Sequence, residues 1–224
     1  MTAPYRLHYA PDNASLCVRL ALEELGVAYH TALVDRAARG QRAPAYLALN
    51  PNGLIPVLET PDGAVFETGA ILLWLADRHG GLAPAPDHAD RGAVLSWTLW
   101  LSDTLHPALR MLFHAGDYGP EAAVRARTIE RLPGLLAILA GARTDWLDRP
   151  SILSCHAAPM LRWMALYPAG QSGWFRLSDT PRLERLARMM EDRPSARAAQ
   201  AAEGLGPTPF TAPSLPDPPE GSAT

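Results

Sequence analysis

Short apolar runs alternate with a helical pattern over the first part of the chain. Residues 5–9 are rich in strand-forming side chains, and residues 29–34 form a second run of the same kind. Between these two runs, apolar residues recur on one side of a helix, which Gly26 ends. The residues of this apolar side are Val18, Leu22 and Leu25. A strand, a helix and a second strand in this order predict a parallel strand pair. The helix carries the chain back along the sheet, so that the second strand begins at the same end as the first.

A hairpin and a second helix follow. Residues 57–59 and 65–67 are two further short strands, and the Pro-Asp-Gly turn at 61–63 between them is typical of a β-hairpin. Thr68 then begins another apolar helix, which ends near the Gly-Gly pair at 80–81. Together these elements predict a small mixed α/β sheet with helices packed on it.

The remainder of the chain has no strand pattern. Four apolar periodic segments predict helices over 91–114, 121–141, 151–166 and 182–192. The predicted organisation is therefore an α/β domain over residues 1–81, a proline-rich linker over 82–90, an all-α helical bundle domain over 91–203 and a proline-rich tail over 204–224. The tail has little apolar periodicity, so we expect it to be extended or partly disordered.

The composition argues against several classes of function. The 224 residues are 48% hydrophobic with a formal net charge of -3, so the basic excess that nucleic acid or an anionic membrane surface requires is missing. No run approaches the roughly 18 apolar residues of a membrane span, and the first residues lack the apolar segment of a secretory signal. Cys17 and Cys155 have no CxxC spacing, which favours a reducing cytoplasm and predicts no structural zinc or other metal site.

Two segments carry a family resemblance. Asn-Pro-Asn-Gly-Leu-Ile-Pro-Val-Leu at 50–58 and Phe-Glu-Thr-Gly-Ala-Ile-Leu at 66–72 resemble the glutathione-binding half of cytosolic glutathione transferases. The opening Leu-His-Tyr-Ala-Pro at 7–11 and the later Leu-His at 105–106 are most similar to the bacterial branch related to the beta class. The resemblance implies a thioredoxin-like N-terminal domain, a C-terminal helical domain, glutathione as co-substrate and a cytoplasmic homodimer that acts in detoxification.

The resemblance also implies where glutathione binds. It implies a cis peptide bond before Pro56, with the backbone of Ile55 pairing with the glutathione backbone and Asn52 nearby. Glu67 and Thr68 begin a helix, where unpaired N–H groups and the helix dipole attract an anion. Thr68 suits the carboxylate of the γ-glutamyl group and Glu67 suits its ammonium group. The alternative for these two residues is an ordinary helix cap.

Three residues are candidates for the donor that activates the glutathione thiol. A thiol titrates near about 8.5, and one hydrogen bond to the thiolate from a helix start lowers that pKa by about one unit or more. Beta-class relatives have a cysteine at the position of Ala14, and Cys17 does not replace it, because it lies three residues further along the helix. Ser15 is the first choice for the donor, Asn13 the second and Tyr9 the third.

The helical domain contributes the opposite wall of the predicted cleft. His106 matches a histidine that lines the active site of beta-class relatives, although a structural role is an equal alternative, and Pro107 replaces the lysine that often follows it. A group of nearby apolar residues is expected either to line an electrophile pocket or to pack between helices. These residues are Trp97, Trp100, Leu109, Met111, Leu112 and Phe113.

The resemblance leads to a catalytic hypothesis with two competitors. The chain is expected to transfer glutathione to a small hydrophobic electrophile, with peroxidase activity as a further expectation. A non-catalytic glutathione-binding or protein-interaction scaffold of the same fold is the alternative, since the beta-class cysteine is missing. A glutaredoxin-like thiol oxidoreductase is disfavoured because no cysteine stands at the helix start.

Overall fold

The computed structural model describes residues 5–223. Residues 1–4 and Thr224 lie outside the described residues, and with them the first positions of the predicted α/β domain and the last position of the predicted tail.

A four-stranded sheet organises the first third of the chain. Its strands are β1 (Tyr5–Tyr9), β2 (Tyr29–Leu33), β3 (Val57–Thr60) and β4 (Gly63–Phe66), in the spatial order β2-β1-β3-β4. Strand β1 pairs in parallel with β2, where Leu7 lies opposite Thr31, and antiparallel with β3, where Leu7 lies opposite Leu58. Strands β3 and β4 form the expected antiparallel hairpin. The predicted parallel pair and the predicted hairpin are confirmed.

Three helices accompany the sheet: α1 (Ser15–Leu25), α2 (Pro44–Leu47) and α3 (Thr68–His79). Helix α1 ends where Gly26 adopts φ 63°, a left-handed conformation that glycine enters without steric cost. The helix packs against α3 and against two helices of the C-terminal half, so almost its whole first two turns are buried. The start of α1 therefore stands at the junction of the two halves.

The C-terminal half is helical among the described residues. Its elements are α4 (Arg91–Trp100), a π-helical turn (Leu101–Leu105), α5 (His106–Phe113), α6 (Glu121–Ala140), α7 (Ile152–Leu166), α8 (Pro181–Glu191) and α9 (Pro194–Glu203). Short 3₁₀ turns lie at Gly40–Arg42, Ala115–Asp117, Asp145–Leu147 and Leu177–Asp179. No helix in the described part of the chain is long and apolar enough to cross a bilayer.

Two helical predictions need correction. The segment 91–114 is interrupted, because Pro107 has no N–H to donate and the chain widens into a π turn just before it. No helix was predicted beyond residue 192, whereas α9 follows directly. Its buried positions include Ala196 and Ala199, and alanines give a weak apolar pattern.

Helix α7 runs through the centre of the helical half. All but one of its residues are buried. It begins with a capping box, in which the Ser151 hydroxyl accepts from the Ser154 N–H and the Ser154 hydroxyl accepts from the Ser151 N–H. The helix carries Arg162, Trp163 and, one residue past its end, Tyr167 toward the start of α1.

The proline-rich tail is extended, as expected, but it is packed on the molecule. Phe210 is 1% exposed, and its N–H donates to the Glu191 carboxylate over 2.8 Å. The Asp217 N–H donates to the Gly204 carbonyl over 2.9 Å, which turns the tail back toward the sheet half. A Cβ on Gly204 would lie 1.9 Å from the Asp217 carbonyl oxygen, so this return requires glycine.

Candidate active site

A cleft of about 1150 Å³ is bounded by both halves of the molecule and by the tail. The sheet half contributes the loop before α1, the segment before β3 and the start of α3. The helical half contributes residues from the π turn, from α5 and from the end of α7. Four of the predicted glutathione-binding residues, Ile55, Pro56, Glu67 and Thr68, lie together in this cleft, and so does His106.

The segment before β3 forms one wall. The peptide bond between Ile55 and Pro56 is cis, as the resemblance implies. The Leu54 carbonyl accepts hydrogen bonds from the Tyr46 hydroxyl and from the Asn50 amide, each over 2.8 Å, which fixes the approach to the cis bond. The preceding turn lines the cleft with Asn50 and Gly53, whereas the predicted Asn52 is exposed and does not line it.

The start of α3 forms the floor beside that wall. Thr68 is 7% exposed, and Glu67 has φ 69°, an uncommon backbone conformation for a residue with a side chain. Neither side chain has a hydrogen-bond partner among residues 5–223, and Glu67 does not cap the helix with its carboxylate. The alternative of an ordinary capping pair therefore has no hydrogen bond to support it. Both polar groups are free to bind a ligand in the cleft.

The three candidate donors occupy different environments. Ser15 is fully buried, its hydroxyl donates to the Ala10 carbonyl over 3.1 Å, and it does not line the cleft. Ser15, the first choice from the sequence, therefore faces the core and not the cleft, because adjacent helix residues point about 100° apart. Tyr9 is 2% exposed and donates to the Glu220 carboxylate, while burial, followed by Glu220, raises the pKa of its hydroxyl. Tyr9 is likewise absent from the lining.

Asn13 is the one candidate donor that lines the cleft. Its amide donates to the Pro11 carbonyl over 2.9 Å and to the Ala223 carbonyl over 3.2 Å. The second bond joins Asn13 to the tail. The Asn13 amide is therefore already bonded to the Ala223 carbonyl oxygen. An amide in this position is able to donate to another acceptor when the tail moves.

A buried ionic network fixes the loop that carries Asn13. The Asp12 carboxylate accepts from Arg162 over 2.8 and 3.1 Å, from the Trp163 indole over 2.9 Å and from the Tyr167 hydroxyl over 2.7 Å. Both side chains of the Asp12–Arg162 pair are 0% exposed. Asp12 itself has φ 51°, so the network holds an uncommon backbone conformation directly before Asn13.

A second buried pair supports the same loop from α9. Glu203 is 0% exposed, accepts from Arg19 over 2.6 Å and accepts from the Asp12 N–H over 2.8 Å. Burial raises the pKa of Glu203, although Arg19 acts in the opposite direction. The sequence analysis did not identify either pair, because the partners lie 150 and 184 residues apart along the chain.

The helical wall is aromatic and basic. Burial, with a smaller effect of the Arg110 charge, lowers the pKa of His106 to about 4, so this imidazole is neutral near pH 7. The His106 ring packs on the Trp163 ring with 5.6 Å between centroids. Of the six apolar residues proposed for an electrophile pocket, Phe113 lines the cleft and the other five do not. Leu109 and Leu112 are core residues, as the helix-packing alternative predicted.

The end of the tail covers part of the cleft. Six tail residues line it, and the Ala223 carbonyl accepts from Arg36 over 2.6 Å in addition to Asn13. The lining residues of the tail are Leu215, Pro216, Pro218, Gly221, Ser222 and Ala223. A ligand that reaches Asn13 therefore has to displace the last described residues.

Neither cysteine takes part in this cleft. Cys17 and Cys155 are free thiols that are fully buried. Burial raises the pKa of both thiols, which disfavours the reactive thiolate. Cys17 is a core residue, as expected. Within residues 5–223 no group of three or more His, Cys, Asp or Glu side chains is arranged to hold a metal ion.

Comparison with known proteins gives one matching family model and several relatives. The family described as "Glutathione S-transferase, N-terminal domain" matches residues 14–78. A maleylacetoacetate isomerase of Rhizobium meliloti is 35% identical over 116 residues, which cover 49% of this chain and 54% of the relative. This chain thus spans about half the length of that isomerase, and 56% of a disulfide-bond oxidoreductase, YfcG, of Escherichia coli.

Other relatives are matched over their full length. The glutathione S-transferase GstA of Escherichia coli O157:H7 is 28% identical over 89% of this chain and 99% of the relative. The beta class structure from Sphingomonas chungbukensis is 27% identical, with a TM-score of 0.75 over 90% of this chain and 100% of that one. A sphingomonad glutathione S-transferase in complex with glutathione is 30% identical, with a TM-score of 0.74 and the same coverage. This chain belongs to the glutathione S-transferase family.

Proposed function

We propose that this protein binds glutathione in the cleft and transfers its sulfur to the electrophilic carbon of a small apolar molecule. The observation that carries the proposal is the pair of unpartnered side chains, Glu67 and Thr68, at the start of α3 in the same cleft as the cis Ile55–Pro56 bond. The sphingomonad relative that was crystallised with glutathione supports the choice of ligand.

Glutathione fits the polar groups of this wall. The γ-glutamyl carboxylate is placed at the Thr68 hydroxyl and the N–H groups of the first turn of α3, where the helix dipole favours an anion. Its ammonium group pairs with the exposed Glu67 carboxylate. The backbone of Ile55 has no hydrogen-bond partner among the described residues, so it is free to pair with the cysteinyl backbone of the ligand in the manner of an added strand.

Asn13 is the proposed donor to the glutathione sulfur. With Ser15 and Tyr9 turned away, it is the candidate whose side chain lines the cleft. The thiol loses its proton to solvent, and the amide N–H then stabilises the thiolate. The sulfur lone pair forms a C–S bond with the electrophile, while the bond to the leaving group breaks and that group departs with the bonding electrons.

Calorimetry and steady-state kinetics test this proposal together. We expect glutathione to bind at millimolar or lower concentration and Thr68→Val to weaken that binding. Asn13→Ala should lower kcat/KM for an aryl halide about 10- to 150-fold, because a hydrogen bond to a charged group contributes roughly 1.5–3 kcal/mol. Ser15→Ala is the matched control at the same helix start and should change kcat/KM far less. A larger effect of Ser15→Ala than of Asn13→Ala would contradict the assignment.

A non-catalytic scaffold is the second candidate function. The tail that covers Asn13 and the alanine at position 14, where beta-class relatives have a cysteine, both favour it. Binding of glutathione without turnover of any of a panel of aryl halides, epoxides and organic peroxides would support the scaffold. Peroxidase activity remains a prediction that the same panel tests.

Assembly and location are also proposals. We propose a homodimer through α3 and α4, the helices that the family resemblance implies, and the cytoplasm as its location, which the two free cysteines support. Leu99 on α4 is 55% exposed in the single chain. Sedimentation should give a dimer at micromolar concentration, and Leu99→Glu should shift it toward the monomer. A wild-type monomer would exclude the dimer.

A further inference from the structure

Two arginines of the cleft have no acidic partner among residues 5–223. Arg36 lies in the segment after β2, and Arg110 lies on α5, one turn beyond His106. Both line the cleft, although they belong to opposite halves of the molecule. Neither guanidinium forms an ion pair with a carboxylate in the part of the chain that the structure describes. Unpaired cations that are partly withdrawn from water are expensive unless a ligand supplies the opposite charge.

The two positive charges act on each other and on their surroundings. Burial, followed by the charge of Arg110, lowers the pKa of Arg36. Burial, then Arg110 and then Arg36, lowers the pKa of His114, with Asp117 acting in the opposite direction. Both guanidiniums line the same cleft and add positive charge to it, which favours an anionic group on a ligand bound there.

An oxygen of the tail is already bonded to Arg36. Arg36 donates to the Ala223 carbonyl over 2.6 Å, and Asn13 donates to the same oxygen. The tail thus demonstrates that an acceptor fits between Arg36 and the proposed sulfur donor. A carboxylate forms charge-assisted bonds that are about twice as strong as those of a neutral carbonyl, so an acidic ligand is able to displace the tail.

We propose that Arg36 and Arg110 form a subsite for an acidic group on the electrophile, so that the preferred second substrates are carboxylate-bearing electrophiles. This inference rests on the proposed transferase function and names its substrate class. The aromatic side chain of Phe113, on the same wall, contacts the apolar part of the molecule. The carboxylates of glutathione have other partners: Thr68 takes one, and the guanidinium of Arg42, which lies beside Gly53, is available to the other.

A matched pair of aryl chlorides tests the subsite. 1-Chloro-2,4-dinitrobenzene is uncharged, and 4-chloro-3,5-dinitrobenzoate carries one carboxylate. In both reactions the glutathione sulfur forms a C–S bond, the C–Cl bond breaks, chloride leaves with the electron pair and the thiol proton goes to solvent. The readout is the ratio of the two kcat/KM values, each divided by the rate constant of the uncatalysed reaction.

We expect wild type to favour the carboxylated chloride, and Arg110→Gln to lower the ratio about tenfold or more. Arg36→Gln should act in the same direction. Arg127→Gln is the matched control, because Arg127 is exposed on α6 and does not line the cleft, and it should leave the ratio unchanged. Added salt should also lower the wild-type ratio, since a partly exposed charge interaction is screened.

Three results would overturn the inference. A wild-type ratio near one, or an equal loss for both chlorides in Arg110→Gln, would show that no acidic group is recognised. Weaker glutathione binding in Arg110→Gln by calorimetry, with an unchanged ratio, would assign the arginine to glutathione instead. In each of these cases glutathione still binds and the uncharged chloride still reacts, whereas loss of both in wild type would refute the proposed function itself.

Discussion

Replacing Arg162 removes one partner of a buried ion pair. The guanidinium donates to Asp12 over 2.8 and 3.1 Å and to the carbonyls of Leu205, Pro209 and Ser214 over 3.1, 3.2 and 2.9 Å. Arg162→Met keeps much of the side-chain volume but leaves the Asp12 carboxylate buried without a cation. Breaking such a pair typically costs about 3–5 kcal/mol, which corresponds to a fall in Tm of about 6–20 °C for a chain of this size.

The matched control is the Arg91–Asp77 pair. Arg91 also holds an aspartate with two hydrogen bonds, of 2.8 and 2.9 Å, but the Asp77 side chain is 44% exposed. We expect Arg91→Met to lower the free energy of unfolding by about 1 kcal/mol or less. Urea unfolding, followed by tryptophan fluorescence at one protein concentration, measures both variants against wild type.

A second variant separates charge from packing. Asp12→Asn combined with Arg162→Met removes both charges, so the double variant should be less destabilised than the sum of the two single changes. An Arg162→Met protein as stable as Arg91→Met would refute the argument that the ionic network holds the loop before α1. Strict additivity in the double variant would refute the attribution to an uncompensated charge.

Three further predictions concern the tail, the histidines and the cysteines. Deleting residues 218–224 should tighten glutathione binding about tenfold in calorimetry, because the Ala223 carbonyl no longer competes with the glutathione sulfur for the Asn13 amide; weaker binding would mean that the tail retains the ligand. Burial lowers the pKa of His106 to about 4 and that of His156 well below its usual value. The unfolded imidazoles take up protons first, near about pH 6.5, so stability should be full above that pH and fall toward about pH 4. His156→Leu should weaken this fall in urea midpoints, and an unchanged pH dependence would contradict the argument. A thiol reagent should label Cys17 and Cys155 only on unfolding, and rapid labelling of the native protein would contradict their burial.

The sheet and its caps were predictable because their signals are local. Gly26 ends α1 within one residue of its last apolar position, and Thr68 begins α3 where the apolar pattern resumes. The interruption before α5 was not predicted, because the apolar pattern continues through Pro107 while the backbone hydrogen bonds do not. Helix α9 was missed since its buried positions are small residues and the charged Glu203, which give little apolar pattern.

The site was predictable only in part. Glu67, Thr68 and the cis-proline segment lie in the cleft because a contiguous motif specifies them. Ser15, the first choice for the thiol donor, does not line the cleft, since sequence does not determine which residues near a helix start face the cleft. The network around Asp12 joins the loop before α1 to α7 and to the tail. Contacts between residues so far apart along the chain produce no periodic pattern in the sequence.

The return of the tail has a practical consequence for protein engineering. Because the Ala223 carbonyl lies 3.2 Å from the Asn13 amide, any polypeptide that continues beyond this point starts at the mouth of the cleft. A purification tag or fluorescent fusion attached there would share the space of the proposed second substrate. Kinetic constants measured on such a fusion would include the effect of the appended sequence, so a cleavable attachment is preferable at this end of the chain.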